Sequence, residues 1–374
     1  MRRRILLGVA ILLGAAILAL MGSTSWFKSF GARPAGARLE RNRKSPHFEG
    51  GKFVNSVPTN MLAPGTLFAM LRHQFFGNEQ RVPQRPIQII ARSSKDYERG
   101  PASGLRATWI GHASTLIEID GRRVVTDPIW SQRCSPSTWV GPKRFHPPPL
   151  SLSELPPIDI AVISHDHFDH LDMATVEALA ARGTRFAVPL GVGAHLEAWG
   201  VSAAQIIELD WNDTAEIAGL KVTATPARHY SGRNPFYRDN TLWASWVVKG
   251  ATHRFFFSGD SGYFHGFKAI GAEHGPFDLT LIKIGACDVT WPDIHMTPEE
   301  AVQANADVRG KLLLPVHWGT FNLAFHAWNE PADRVLAAAT STGTSVVVPR
   351  PGEFVEPAQI ATLDGPRAVE RWWR

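Results

Sequence analysis

Ser164-His165-Asp166-His167-Phe168-Asp169-His170-Leu171 is the stretch on which the fold turns. It leaves a short apolar run, 158–164, of the kind a buried strand has, and leads into 173–182, where apolar residues recur at helical spacing. Four potential metal ligands, His165, His167, Asp169 and His170, lie within six residues as His-x-His-x-Asp-His. A turn leaving a strand end can aim alternate side chains into one cavity. Neutral imidazoles together with a carboxylate suit zinc and similar divalent ions. Three His and two Asp in so short a span make a poor chance loop.

Working outward, three further candidates each stand at the end of an expected strand. His229 follows 222–227, Asp260 follows 255–259, and His317 follows 312–316. A single His after a strand is commonly just a hydrogen-bonded residue. The joint pattern points to a second set of ligands. Other strands are expected at 108–110, 114–119, 122–126, 185–189, 206–209, 220–225, 241–248, 254–258, 279–284, 311–316 and 345–348. Asp120-Gly121 is the hairpin turn between the second and third of these. Helices are expected at 173–182, 297–306 and 332–339; the second is announced by Thr297-Pro298-Glu299-Glu300, a cap, a first-turn Pro and early acids. This mixture predicts two sheets covered by helices, with no internal repeat of short period.

Composition bounds the function. The 374 residues permit one large domain or two ordinary ones. Hydrophobic residues at 44% and charged residues at 20% fit a globular core rather than a disordered chain. Two cysteines, Cys134 and Cys287, exclude a disulfide scaffold and a Cys-rich zinc site. The net charge is +5, but residues 1–50 hold nine basic and two acidic residues, leaving 30 basic against 32 acidic in the rest. A nucleic-acid-binding body would carry its own excess of Lys and Arg, so no nucleic-acid partner is expected.

No residue between Arg4 and Lys28 is charged, and 5–21 is almost purely aliphatic with Gly and Ala. As a helix the uncharged run spans roughly 34 Å, enough to cross a bilayer. Leu20-Met21 stands where a cleavage site wants small residues, and no Cys follows, so an uncleaved anchor is favoured over a signal peptide. Basic residues lie on both sides of the run and leave its orientation open; Arg2-Arg3-Arg4 also gives a weak twin-arginine reading. The expected organisation is a membrane anchor or signal segment at 1–28, an irregular extension at 29–105, the catalytic domain at 106–355 and a tail at 356–374. Membrane association follows, with export or a periplasmic location as one placement.

With these residues assembled, the sequence resembles the metallo-β-lactamase superfamily, whose ligand series is His-x-His-x-Asp-His, a strand-end His, a Gly-Asp and a final His. Longer runs resemble the N-acylphosphatidylethanolamine-hydrolysing phospholipase D group. They are Thr108-Trp109-Ile110-Gly111-His112-Ala113, Thr126-Asp127-Pro128, Gly141-Pro142-Lys143-Arg144-Phe145, Ser153-Glu154-Leu155-Pro156-Pro157-Ile158-Asp159, the run 255–263, Gly275-Pro276-Phe277-Asp278 and His317-Trp318-Gly319-Thr320-Phe321. The similarity runs over roughly residues 50 to 355. It implies an α/β fold, the αββα sandwich of two mixed β-sheets flanked by helices.

The resemblance also implies two divalent ions, zinc as first choice with manganese and iron as alternatives. His165, His167 and His229 would hold one ion, Asp169, His170 and His317 the other, and Asp260 would bridge them. Two such ions lower the pKa of a shared water and clamp phosphodiester oxygens. The implied reaction is hydroxide attack on phosphorus of a phospholipid at a membrane surface, giving phosphatidic acid and an N-acylethanolamine. Asp169 would also orient the nucleophile. His295 stands where the group places a His near the active site, from which it would bind a phosphate oxygen or protonate the leaving group; a structural loop role is the other reading. Asp127 is either a hydrogen-bond partner of a ligand His or a turn cap. His112 reads as structural. Cys287-Asp288 departs from the animal enzymes, which have an aromatic followed by Glu, and this bears on the substrate pocket. Trp26-Phe27 and 61–76 are packing or lipid-facing residues. The rival within enzymes is a lactonase or a phosphodiesterase with a soluble substrate; the rival outside them is a binding or sensor protein. The oligomeric state is left open.

Overall fold

The computed structural model describes residues 14, 24–234, 236–361 and 370–374. Apart from Gly14, the apolar run of 5–21, and with it most of the expected anchor, lies outside the described residues. Among those described, no helix is long and apolar enough to cross a membrane.

A small hairpin, β1 (Phe48–Glu49) and β2 (Lys52–Phe53), precedes two large sheets. The first sheet contains β3 (Leu105–Gly111), β4 (Ser114–Ile119), β5 (Arg122–Thr126), β6 (Ile160–Val162), β7 (Arg185–Pro189) and β8 (Ile206–Leu209). The second contains β9 (Thr214–Ile217), β10 (Leu220–Thr225), β11 (Ser245–Lys249), β12 (Arg254–Phe257), β13 (Leu279–Lys283) and β14 (Leu313–Val316). The final strand, β15 (Phe354–Val355), returns to the first sheet, giving the order β15-β3-β4-β5-β6-β7-β8 against β14-β13-β12-β11-β10-β9. Each sheet is antiparallel at one end and parallel at the other.

Period-2 alternation explains the layering. Leu105, Ala107 and Trp109, then Ile117 and Ile119, then Ile160 and Val162, enter the core shared by the two sheets. Their neighbours Ile110, Leu116, Ala161 and Ile163 face a second core, closed by Val176 and Leu179 of helix Met173–Ala180 and Leu196 of helix Gly193–Ala198. Successive strand side chains point to opposite faces, so a sheet buried on both sides must be apolar at nearly every position. Helices Gly266–His274, Pro298–Asp307 and Glu330–Thr342 add Phe267, Ile270, Val302, Val335 and Leu336 to the same continuous apolar cluster. The result is the αββα sandwich expected from the sequence. Trp246 ties the sheets directly, its indole N–H donating to the Ile163 carbonyl at 2.9 Å.

Two expected strands are shorter than read. In 241–248 only Ser245 onward is strand, because the amides of Leu242 and Ala244 donate to Leu190 and Ser164 in the other sheet's loops. At 345–348 only a bridge between Leu313 and Val346 forms; Pro349 follows and has no N–H to extend a ladder. The 29–105 extension is less irregular than its composition suggests, with helices Gly36–Lys44 and Leu67–Phe76. Arg38, inside the first, pairs with Glu208 at 2.6 Å and Glu197 at 2.7 Å on the domain surface. Past the expected domain boundary, Trp373 is buried and packs edge-on against Trp318.

Candidate metal centre

The parallel and antiparallel strands deliver their C-terminal ends to one edge of the sandwich. His112 follows β3, Asp127 follows β5, the 164–171 loop follows β6, and His229, Asp260 and His317 follow β10, β12 and β14. Three of these residues leave their strand through left-handed backbone: His112 (φ 53°), Asp127 (φ 32°) and His317 (φ 63°). Such conformations cost about 1 kcal/mol or more and persist where neighbours over-determine them. Here the His317 amide donates to the His112 carbonyl at 2.9 Å, and the His112 amide donates to Thr320 Oγ1 at 2.6 Å. Before Asp260, Gly259 has φ +54° and a Cβ there would stand 2.4 Å from Ser164 Cβ, so only glycine lets the two ligand loops meet.

Asp166 is the residue of the motif that turns away. Its carboxylate accepts from the Gly232 amide at 2.8 Å and Thr241 Oγ1 at 3.1 Å. Arg233, itself buried, donates to the carbonyls of Asp166 and Leu171 at 3.0 and 2.7 Å. The loop is thus clamped at both ends, and His165, His167, Asp169 and His170 project the other way.

All seven expected ligands converge. His165 Nε2, His167 Nδ1 and His229 Nε2 form one group: His167 Nδ1 is 2.8 Å from His165 Nε2 and 3.4 Å from His229 Nε2. Asp169, His170 and His317 form another, with Asp169 Oδ2 at 3.3 and 3.4 Å from the two Nε2 atoms. Asp260 Oδ2 stands between them, 3.1 Å from His317, 3.2 Å from His170 and 3.9 Å from His229.

Two members were not read as ligands. His112, taken as structural from the sequence, is drawn into the second group, its Nε2 2.9 Å from Asp169 Oδ2. His295 Nδ1 lies 3.7 Å from Asp260. The reason is topological: β3 and β14 end side by side, which no local pattern around His112 reveals.

Hydrogen bonds behind the imidazoles set which nitrogen faces inward. His229 Nδ1 donates to the Ile294 carbonyl at 2.9 Å, and its backbone is bracketed by both side-chain ends of Asn55 from the extension. His170 Nδ1 is 2.6 Å from Asp127 Oδ2, and Asp127 also accepts the Ser164 amide and hydroxyl. Asp127 thus meets both the His170 ring and the loop amide of Ser164. Burial pushes His165, His167 and His229 below their ordinary range, His229 to about 3, and so keeps them neutral with a lone pair to offer. For Asp260, burial opposes ionisation, yet His317, His170 and His295 hold it well below the usual carboxylate range.

The chemistry of the donor set fits a divalent cation. His170 Nε2, both ring nitrogens of His317 and Asp260 Oδ1 are buried without a hydrogen-bond partner. Buried polar atoms left so are costly and rare; a cation among them takes up the lone pairs. The cluster forms the floor of a cavity of about 530 Å³, whose wall includes Met61, Leu62, Met70, Phe168, Ile294 and Leu323. Cys134 also lines it, and both cysteines are free thiols.

Comparison with known proteins agrees with this geometry. The family described as Beta-lactamase superfamily domain matches residues 122–318. The chain is similar to an uncharacterised protein of Mycobacterium tuberculosis, 46% identical over 98% of this chain and 99% of that one. It is also similar to N-acyl-phosphatidylethanolamine-hydrolyzing phospholipase D 1 of Caenorhabditis elegans, 36% identical over 70% of this chain and 77% of the relative. Among solved structures, a metallo hydrolase from Ignicoccus hospitalis superposes with a TM-score of 0.52 at 24% identity, covering 67% of this chain and 97% of that one; this likeness concerns the fold. A matched domain spanning more than half the chain, and a relative 36% identical that is covered to more than two thirds, place this protein in the metallo-β-lactamase superfamily as a metal-dependent hydrolase.

Proposed function

We propose that this hydrolase cleaves the phosphodiester of N-acylphosphatidylethanolamine-type phospholipids at a membrane surface, releasing an N-acylethanolamine and leaving phosphatidic acid. The observation that carries the reading is the contrast between the floor and the mouth of the cavity. The floor is the His and Asp cluster. Met61, Leu62 and Met70 line the way in, and Phe68, Leu71, Phe75 and Phe76 of the adjoining helix Leu67–Phe76 are exposed. Contiguous exposed apolar residues of this kind suit a lipid or partner surface. An amphiphile with acyl chains above and a phosphodiester below matches both ends of that gradient. The similarity to the C. elegans phospholipase D supports the same substrate class.

In this reading His165, His167, Asp169, His170, His229, Asp260 and His317 would hold two divalent ions, zinc as first choice. When bound, such ions supply Lewis acidity and lower the pKa of water toward neutrality. Asp169, near the rings of His112, His170 and His317, orients the attacking water. His295 faces the same cavity and contacts the phosphate or the departing oxygen. Arg238, at the wall above Tyr230, supplies positive charge toward an anionic head. Water adds to phosphorus, the phosphorus–oxygen bond to the ethanolamine side breaks, and that oxygen leaves with a proton.

The test is turnover by the full-length, metal-analysed chain in detergent. It is offered N-acylphosphatidylethanolamine in mixed micelles, a soluble aryl phosphodiester and a simple lactone. N-acylethanolamine release, abolished by a chelator, restored by zinc and absent from the His165→Ala/His167→Ala double variant, is the expected result. Cleavage of only the soluble substrates overturns the lipid reading and favours the lactonase or soluble-phosphodiesterase alternative.

A further inference from the structure

Arg233 is buried, and among the described residues its hydrogen bonds go to carbonyl oxygens alone. Two of these, on Asp166 and Leu171, belong to the metal-binding loop. The third is on Ser29, distant in sequence, which accepts from Nε at 2.6 Å. Two rings complete the enclosure: the guanidinium carbon lies 4.0 Å from the centre of Phe168 and 4.8 Å from that of Trp199. A charge is costly to bury unless such partners surround it. The planar fork serves acceptors on different sides at once. One side chain thus joins the loop to the segment that follows the apolar run of 5–21.

That segment is docked at further points. The Trp199 indole N–H donates to the Lys28 carbonyl at 2.7 Å. The Ala32 amide donates to His195 Nδ1 at 3.1 Å, and His195 Nε2 stands 3.4 Å from Asp166 Oδ2. Phe30 meets the ring of Phe168 edge-on at 6.0 Å. Gly31 has φ +68°, and a Cβ added there would overlap the His195 ring. His195 is buried and held by its two partners, so it has little room to yield. The contacts reach the loop through Asp166, Phe168 and Leu171, none of which is a candidate ligand.

We propose that residues 28–32 are a working part of the metal centre, not a tether leading to it. Docked on Arg233, His195 and Trp199, they hold the 164–171 loop in the shape that gathers His165, His167, Asp169 and His170, and Arg233 is the positioning residue that joins the two. This rests on the metal centre and not on the choice of substrate. No pattern around Ser29 or Arg233 announces it, because the two meet only in the folded chain.

The test uses the full-length chain in detergent and two readouts. One is zinc competition against a chromophoric chelator. The other is amide hydrogen exchange of the 164–171 loop in metal-free protein, with β11 as internal reference. Gly31→Ala lifts the segment off His195 without touching the loop. Arg233→Lys keeps the charge but not the fork. Both are expected to bind zinc about tenfold more weakly or worse. Their loop amides should exchange at least about tenfold faster while β11 stays as in the parent. Gly36→Ala is the control: its φ is +52°, but no atom lies near an added Cβ, so it strains the backbone without lifting the segment and should match the parent. Should Arg233→Lys fail to fold, Phe30→Ala takes its place. Parent-like zinc affinity and loop exchange in the folded variants overturn the proposal. Equal losses in Gly36→Ala, or faster exchange spread over both sheets, also overturn it, since strain or general destabilisation then accounts for the effect. Turnover of a phospholipid enters neither readout, so failure of the lipid reading leaves this result standing.

Discussion

Replacing Asp127 by Asn tests the logic of the metal centre without touching a ligand. The Asp127 carboxylate is fully buried and accepts three hydrogen bonds: the Ser164 amide at 2.6 Å, the Ser164 hydroxyl at 2.5 Å and His170 Nδ1–H at 2.6 Å. An Asn of the same shape can still accept the Ser164 amide through Oδ1. Its NH₂ group must then face the Ser164 hydroxyl and His170 Nδ1. The hydroxyl can rotate to accept. The imidazole can accept only by moving its proton to Nε2, the atom that faces Asp260 at 3.2 Å and Asp169 at 3.3 Å. The lone pair offered to a metal is lost. Partners behind metal-ligating His are typically worth 10–100-fold in affinity, about 1.4–2.8 kcal/mol. A charge-assisted hydrogen bond, at roughly 1.5–3 kcal/mol, gives the same range. The assay is zinc competition against a chromophoric chelator, with the melting curve of metal-free protein as the control for folding. The Asn variant should bind zinc 10–100-fold more weakly while its metal-free melt stays near that of the parent. A folded variant with unaltered zinc affinity would refute the tautomer argument and return Asp127 to a turn-capping role.

Two other predictions concern stability. Arg106 and Glu118 form a buried pair at 2.5 Å, with Arg123 3.7 Å from the same carboxylate and Phe354 under the Arg106 guanidinium. Arg106→Met should cost about 3 kcal/mol by urea unfolding, because a buried carboxylate is left with a poorer partner; Arg106→Met/Glu118→Met should recover most of it, and equal losses in the two variants would argue against the charge as the cause. Asp120 accepts from His253 Nδ1 at 2.6 Å and from the amides of Thr252 and His253. Burial works against its ionisation, but these bonds hold the carboxyl below its usual range. Its folded pKa lies under the unfolded value of about 3.9, so the stabilisation is present above that value and is lost as pH falls through the folded one. Asp120→Asn keeps the left-handed turn (φ 47° at Asp120, 79° at Gly121) and should flatten the decline of the urea midpoint below about pH 4; an unchanged slope there would contradict the assignment.

Much of the site was legible because its signals are local. A ligand run between a strand and a helix needs only strand-end geometry to converge. A lone His229, Asp260 or His317 becomes meaningful once each is seen to end a strand of a sheet. The Asp120-Gly121 turn and the Thr297 cap, whose side chain meets the Glu300 amide at 3.2 Å while Glu300 reaches back at 2.8 Å, were fixed by residues within four positions. The strand β9 and the helices Gly193–Ala198 and Gly266–His274 were not read. They are four to nine residues long, and their stability comes from the surfaces they cover more than from their own periodicity.

The sequence, read together with its family resemblance, thus determined the fold class, the seven candidate ligand positions and the hydrolytic character of the protein, since strand alternation and the motif residues are local. Tertiary structure decided what joins them. It brought His112 beside His317 at neighbouring strand ends and within reach of Asp169, bracketed His229 with Asn55 from the extension, packed Trp318 among Trp109, Trp372 and Trp373, and set Lys283 against His295. Each of these contacts links parts of the chain whose separation leaves no periodic trace. Only the order of strands in the two sheets determines which of them meet.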